Sequence, residues 1–202
     1  MTRKLTAVES LSLDGVMQAP GRPDEDVRGG FEHGGWAVPY ADEVMGREMG
    51  ERMARSRGGQ LVLGRRTYDD FARVWPQQEG NPYSEALNAA QKLVASTTLK
   101  EPLPWENSTL LEGDAVDAIG ALKEEPGGDL GLLGSGELAR SLMHRGLIDE
   151  FVLLIYPLVL GSGQRFFQEG VLATLELVDS VTTTTTGVMI ATYRSASGAT
   201  GG

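Results

Sequence analysis

Apolar and polar positions change their period several times along the chain, and each change marks an element. LTAVESLSL, from Leu5, predicts a first strand. The following DGVMQAPGRPDEDVRGGFEHGG is rich in glycine, proline and acids and predicts a long surface loop, of a length that is often functional. From about Tyr40 to Arg57 the spacing of Val44, Met45, Met49 and Met53 predicts a helix with a methionine stripe facing the core. GGQLVLG is a short buried strand, TYDDFARVW the start of a helix whose Thr and Asp residues suit its first turn, and Pro76 with QQEGNP its end.

The alternation then repeats. SEALNAAQ predicts a short helix, KLVAS and STLLEG strands, and DAVDAIGALKEE a helix that PGGD ends. DLGLLG is a strand, GSGELARSLMHRG a glycine loop and helix, and EFVLLIYPLVLG a buried strand with Pro157 at an edge or bulge. LATLELVDSVTTTTT and GVMIATYRS are two strands joined near Gly187, with Thr182 to Thr186 read as strand. Strands alternating with helices predict one α/β domain over residues 1–195, with a disordered tail over 196–202.

Composition narrows the function. A chain of 202 residues can hide roughly 70% of its unfolded surface. Its formal charge of -10 argues against a broad nucleic-acid face, so any basic site is local. No cysteine is present, which excludes disulfides, thiolate metal sites and a cysteine nucleophile. The longest apolar run, from Phe151, falls far short of the ~20 residues that cross a bilayer, and the amino terminus lacks a signal-type run. The expected location is the cytoplasm. His33 and His144 have no partner spacing that suggests a metal.

Two strand-to-helix turns compete as anion sites. Gly64-Arg65-Arg66-Thr67 sets two guanidinium groups at a helix amino terminus, where unpaired amides and the helix dipole already favour an anion. The bland alternative pairs the arginines with Asp69 and Asp70. Gly134-Ser135-Gly136, leading into ELARSL, allows close backbone approach to a phosphate, with a tight turn as its bland alternative. Together they suit the two ends of a phosphorylated dinucleotide. The arginines bias the choice towards NADPH, and the hydroxyls that end KLVAST can share its phosphate.

LVLGRRTYDDFA, KLVASTTL, LLGSGELARSLMHRGLIDEF and YPLVLGSGQRFF stand in the order and approximate spacing of the dihydrofolate reductase-like superfamily. The chain most resembles its small bacterial branch related to the C-terminal reductase domain of bifunctional riboflavin-biosynthesis deaminase/reductases, from SLDGVM to TGVMIATYR. This resemblance implies a three-layer fold with a mostly parallel eight-stranded sheet flanked by helices. It also implies NADPH across the carboxyl ends of the strands. Gly64, Arg65, Arg66 and Thr67 would hold phosphates and the adenosine end, Ser96 and Thr97 would border the adenosine ribose, and Gly134, Ser135, Gly136, Glu137 and Leu138 would wrap the pyrophosphate.

Hydride transfer to a small heterocyclic or carbonyl substrate also needs a proton source. WAVPYAD resembles the folate enzymes' substrate segment with one extra residue, which leaves both Asp42 and Glu43 open as the acid. Asp14, in a loop that lies beside the nicotinamide in relatives, is the other candidate, and Tyr156 and Arg165 are possible lining residues. The expected activity is an NADPH-dependent reductase of a pterin or aminopyrimidine-like substrate. Reduction of 5-amino-6-(5-phosphoribosylamino)uracil is the nearest alternative, without the cysteine-ligated zinc deaminase partner. A noncatalytic NADPH-binding protein and a structural homodimer are the others. A homodimer fits every reading.

Overall fold

Short aliphatic runs such as LVL, KLVA and FVLLI make several inner strands, as expected where both faces of a parallel sheet are covered, whereas LTAVESLS alternates buried and half-buried positions. The computed structural model describes residues 2–55, 59–170, 172–183 and 185–196. Its elements are β1 (Leu5–Ser12), α1 (Glu43–Arg55), β2 (Gln60–Gly64), α2 (Arg65–Val74), α3 (Pro82–Ala89), β3 (Gln91–Ala95), β4 (Ser108–Leu110), α4 (Ala115–Glu124), β5 (Leu130–Leu133), α5 (Gly136–His144), β6 (Glu150–Tyr156), β7 (Leu175–Thr182) and β8 (Met189–Ser195). The strands form an eight-stranded, mostly parallel sheet in the order β4-β3-β2-β5-β1-β6-β8-β7, with flanking helices. This is the expected fold class. The chain divides into two compact units, Met1–Ala7 with Glu48–Asp149, and Val8–Arg47 with Glu150–Gly202.

In the first unit, β3 pairs in parallel with both β2 and β4, and β2 with β5. Leu61, Val62 and Leu63 of β2, Leu93 and Val94 of β3, and Leu130, Leu132 and Leu133 of β5 are all buried. Parallel neighbours require crossovers, and α2 packs on β2 and β3. Its Tyr68 is 1% exposed, and the phenol oxygen accepts the Trp105 amide at 3.0 Å. Two helices start on side-chain caps. Asn81 accepts from the amides of Tyr83 and Ser84 in α3, and Asp114 from those of Val116 and Asp117 in α4. Lys123 ties this unit together, with its ammonium 2.6 Å from both the Leu147 carbonyl and Asp149, whose carboxylate also accepts the Leu5 amide.

In the second unit, β8 pairs antiparallel with β6 and β7. Phe151 to Leu154 of β6 and Ile190 to Thr192 of β8 are buried, and β7 is a largely exposed edge. Pro157 lies just past β6 and ends it, since a proline cannot donate to the ladder. The loop after β1 is less superficial than its composition suggests: Val16, Gln18, Ala19 and Phe31 are buried. Gly163 explains part of that packing. It sits at φ +111°, and a Cβ there would lie 2.7 Å from the Phe31 ring and 2.8 Å from Val16.

Other boundaries shift for local reasons. Helix α2 begins at Arg65, two residues before the expected Thr67, because extended Gly64 serves as its N-cap with no intervening loop. Helix α1 begins at Glu43, after a 3-10 turn over Val38–Tyr40. Met45, Met49 and Met53 are half-buried and stay out of the core. Among the described residues of the threonine run only Thr182 is in β7, and Thr183, Thr185 and Thr186 belong to the segment before β8; Thr184 lies outside the described residues. Residues 197–202, which contain nearly all of the expected tail, lie outside the described residues. Among the described residues no helix is long and apolar enough to cross a membrane.

Candidate functional site

Parallel register decides which residues of the first unit can act together. Gly64 of β2 aligns with Ala95 of β3, and Val62 with Leu132 of β5. The turns at residues 64–67, 96–97 and 134–138 therefore leave three neighbouring strands at the same, carboxyl edge of the sheet. Helices α2 and α5 start there, and neither N-cap residue, Gly64 or Ser135, makes a side-chain cap hydrogen bond. In α3 and α4 the N-cap side chain accepts first-turn amides; in α2 and α5 it does not, and a helix start of that kind is one where anions are generally favoured.

A small interlock sets the shape of the two turns. The Ser135 hydroxyl accepts the Gly64 amide at 2.8 Å and donates to the Leu133 carbonyl at 3.0 Å. The Ser135 amide in turn donates to Thr67 Oγ1 at 3.1 Å. Gly134 and Ser135 are both left-handed, at φ +52° and +61°, which curls the turn towards α2. The hydroxyls of Thr67 and Ser135 thus hold turn to turn. What the pair leaves for a ligand is backbone.

The guanidinium groups go separate ways. Arg65 pairs with Asp69 at 3.1 Å within α2, while Arg66 reaches Glu137 of α5 at 2.9 Å. Asp70 pairs with Arg73. Both arginine pairs are surface contacts that a multiply charged anion can displace, since exposed ion pairs contribute only ~0–1 kcal/mol. Ser96 is less available. Its Oγ accepts the amides of Thr98 and Leu99 and so closes its own turn, whereas Thr97 is exposed.

In the second unit two of the three candidate acids, Asp14 and Asp42, are occupied as acceptors. Asp14 receives the Ser12 hydroxyl at 2.7 Å and the amides of Leu160 and Gly161 at 3.1 and 2.9 Å. Arg165 donates to its carbonyl at 2.9 Å and stands 3.7 Å from its carboxylate. Desolvation pushes this carboxyl up, but the hydrogen bonds outweigh it and bring the pKa down to about 2. These donors favour the charged form of Asp14 over the protonated one.

Asp42 caps α1, accepting the Met45 amide at 2.8 Å, and receives the hydroxyls of Thr185 and Thr186 at 2.7 and 3.2 Å. These contacts, the Met45 amide foremost, hold its carboxyl below the usual range. Glu43 is exposed in the first turn of α1. Trp36 and Tyr40 pack edge-on against Tyr156, whose hydroxyl donates to Met45 sulfur at 3.6 Å and whose burial pushes its pKa up. No group of three or more metal-ligating side chains comes together among the described residues.

Comparison with known proteins gives the chain a family. Residues 3–190 match the RibD C-terminal domain. The chain belongs to that family. Relatives of the chain in sequence include YyaP of Bacillus subtilis (strain 168), named an uncharacterized protein, at 29% identity over 61% of this chain and 67% of its own length. YwjB of the same organism, also named uncharacterized, is 30% identical over 54% of this chain and 58% of its own length. In structure, a Shewanella sp. PV-4 protein assigned to riboflavin biosynthesis superposes with TM-score 0.68 at 22% identity, over 97% of this chain and 99% of that one. Dihydrofolate reductase from Enterococcus faecalis, complexed with NADP(H) and RAB-propyl, superposes with TM-score 0.60 at 14% identity, over 96% and 99%. A RibD C-terminal domain in a dihydrofolate reductase-like fold supports a reductase.

Several participants in this RibD C-terminal domain escaped the sequence reading. The threonine run has strand propensity, yet Gly187 at φ +74° turns the chain and sends two hydroxyls to Asp42. The clue was a run of hydroxyls placed directly before a glycine. The Arg66–Glu137 pair and the Ser135–Gly64 bond each join residues 71 positions apart and leave no local signal.

Proposed function

We propose that the protein is an NADPH-dependent reductase that transfers a hydride to a small heterocyclic substrate, pterin or aminopyrimidine-like, or to a carbonyl. One observation carries the reading: two uncapped helix amino termini and two arginines stand at one edge of a parallel sheet, stapled to each other through Ser135 and Thr67. Such an edge suits a ligand with several phosphates. The amides of Arg65 to Thr67 and Gly136 to Leu138 would hold the phosphates of the cofactor, with Arg65 and Arg66 on the phosphate that distinguishes NADPH from NADH and Thr97 nearby. NADPH, when bound, supplies the hydride.

The accompanying proton comes from water in this account. Asp14 and Asp42 are held as carboxylates, so Asp42 can orient a water but does not store the proton at neutral pH. Asp14 serves structure. Family membership favours an aminopyrimidine such as 5-amino-6-(5-phosphoribosylamino)uracil among the substrates. A second reading, a protein that binds NADPH without turnover, is favoured by the depressed state of both acids. One domain over 1–195, a cytoplasmic location and a homodimer complete the proposal; Leu177 and Val178, exposed on edge strand β7, supply apolar surface for pairing.

Fluorescence titration with NADPH and NADH, on the wild type and on Arg65→Ala and Arg66→Ala, tests the cofactor. At ~1.5–3 kcal/mol per charged hydrogen bond, NADPH is expected to bind roughly 10² to 10⁴ times more tightly, and the substitutions to erase most of that ratio. Failure of either nucleotide to bind would overturn the assignment. Stopped-flow oxidation of NADPH with pterin, aminopyrimidine and quinone panels then separates the readings, since binding without turnover on any panel selects the second.

A further inference from the structure

We propose that Glu137 sets the nucleotide selectivity of the site by holding Arg66 in place of a cofactor phosphate. This rests on the reading above, in which Arg66 meets the phosphate that NADH lacks.

The geometry separates Arg66 from its neighbour. Arg65 is satisfied within α2 by Asp69, one helical turn along. Arg66 instead leaves its helix and meets the carboxylate of Glu137, the second residue of α5, at 2.9 Å. The two turns do not need this contact to stay together, because Ser135 already accepts the Gly64 amide and gives its own amide to Thr67. The ion pair is also half open to solvent, with side chains 50% and 56% exposed. It holds the guanidinium in position without locking it.

The energetic consequence falls on one class of ligand. A phosphate that recruits Arg66 must displace the carboxylate and then remain near a displaced negative charge. A nucleotide with a hydroxyl at the same position does neither. Glu137 therefore opposes NADPH more than NADH and keeps the preference below what the arginines alone would give. A solely structural role is the competing explanation, because an acid in the first turn of a helix stabilises that helix. Such a role would change thermal stability and both nucleotides alike.

The test compares wild type, Glu137→Gln, Arg66→Ala and the double variant in titrations with NADPH and NADH, with melting curves for each. Glu137→Gln is expected to tighten NADPH by about 3- to 10-fold at low salt and NADH by less than about 2-fold, given the modest strength of exposed pairs. The gain should vanish in the Arg66→Ala background and shrink at about 0.5 M salt. Adenosine 2′,5′-bisphosphate and adenosine 5′-monophosphate, used as probes, should repeat the contrast. Unchanged or weaker NADPH binding in Glu137→Gln overturns the proposal, and so does an equal gain for both nucleotides or a gain that persists without Arg66. If the wild type binds NADPH but the substitution does not matter, only this inference falls. If neither protein binds any of the four nucleotides, the cofactor reading falls with it.

Discussion

The turns at the carboxyl edge of the first unit and the acid network of the second are built on opposite plans. At Gly64 and Ser135 the chain ends two strands and starts two helices without a side-chain cap, and it spends the nearby hydroxyls on holding the turns together. At Asp14 and Asp42 every named donor converges on a carboxylate: a serine and two amides on the first, an amide and two threonines on the second. One region presents donors; the other consumes acceptors. A site prepared for an anion should not cap itself, whereas a residue prepared to give up a proton should not be surrounded by donors. The contrast is the physical basis for proposing phosphate binding at the first region and an orienting role for the acids of the second.

The largest effect that would break the contrast is at Asp14. Replacing it by alanine leaves the Leu160 and Gly161 amides and the Ser12 hydroxyl without their shared acceptor, and is expected to cost about 2–4 kcal/mol in denaturant unfolding. If stability hardly changes, the structural role is wrong and the acid regains its catalytic candidacy. The same group predicts a pH dependence. Its folded pKa is lowered to about 2, so its contribution is fully present above the ordinary aspartate range near pH 4 and is lost as pH falls through about 2. The change should be on the order of 1–2 kcal/mol between those limits and absent from Asp14→Asn.

Ser135→Ala comes next. It removes the acceptor of the Gly64 amide and is expected to cost about 1–2 kcal/mol of stability. Its NADPH affinity should fall together with its NADH affinity, because the change loosens the turns without touching an arginine. A loss confined to NADPH in isothermal titration would instead make the hydroxyl a direct ligand of the distinguishing phosphate. The smallest effect belongs to Thr185→Ala with Thr186→Ala. Loss of both hydroxyls should raise the Asp42 carboxyl towards its ordinary value in a carbon-13 NMR titration, with the fold intact. No upward shift would mean that the hydroxyls do not restrain the acid in solution.

Much of the scaffold was legible because its causes are local. The unbroken aliphatic strands QLVLG, KLVA and LGLL, each close to a helix pattern, announce parallel strands covered on both faces, and their register carries the glycine and arginine turns to one edge. Cap residues mark α3 and α4 in the same way, since Asn81 and Asp114 act on amides two and three residues ahead. What escaped depends on distance or on competition between signals. Ser135 adopts a left-handed conformation that residue type alone assigns to glycine, because its hydrogen bonds to residues far away in sequence compensate for it. The threonines carry strand propensity, but the Asp42 carboxylate and the Gly187 turn outweigh it. The Met45, Met49 and Met53 spacing predicted the helix correctly and its burial incorrectly, because periodicity reports a face and not what covers it.

Binding of dinucleotide phosphates at the uncapped turns can be read residue by residue in nitrogen-15 NMR of the full chain titrated with NADPH. The amide resonances of Arg65, Arg66, Thr67, Gly136, Glu137 and Leu138 are expected to move together and saturate, while those at the capped starts of α3 and α4 stay in place. Saturable binding that leaves the six amides unmoved, or no binding at all, would contradict that expectation.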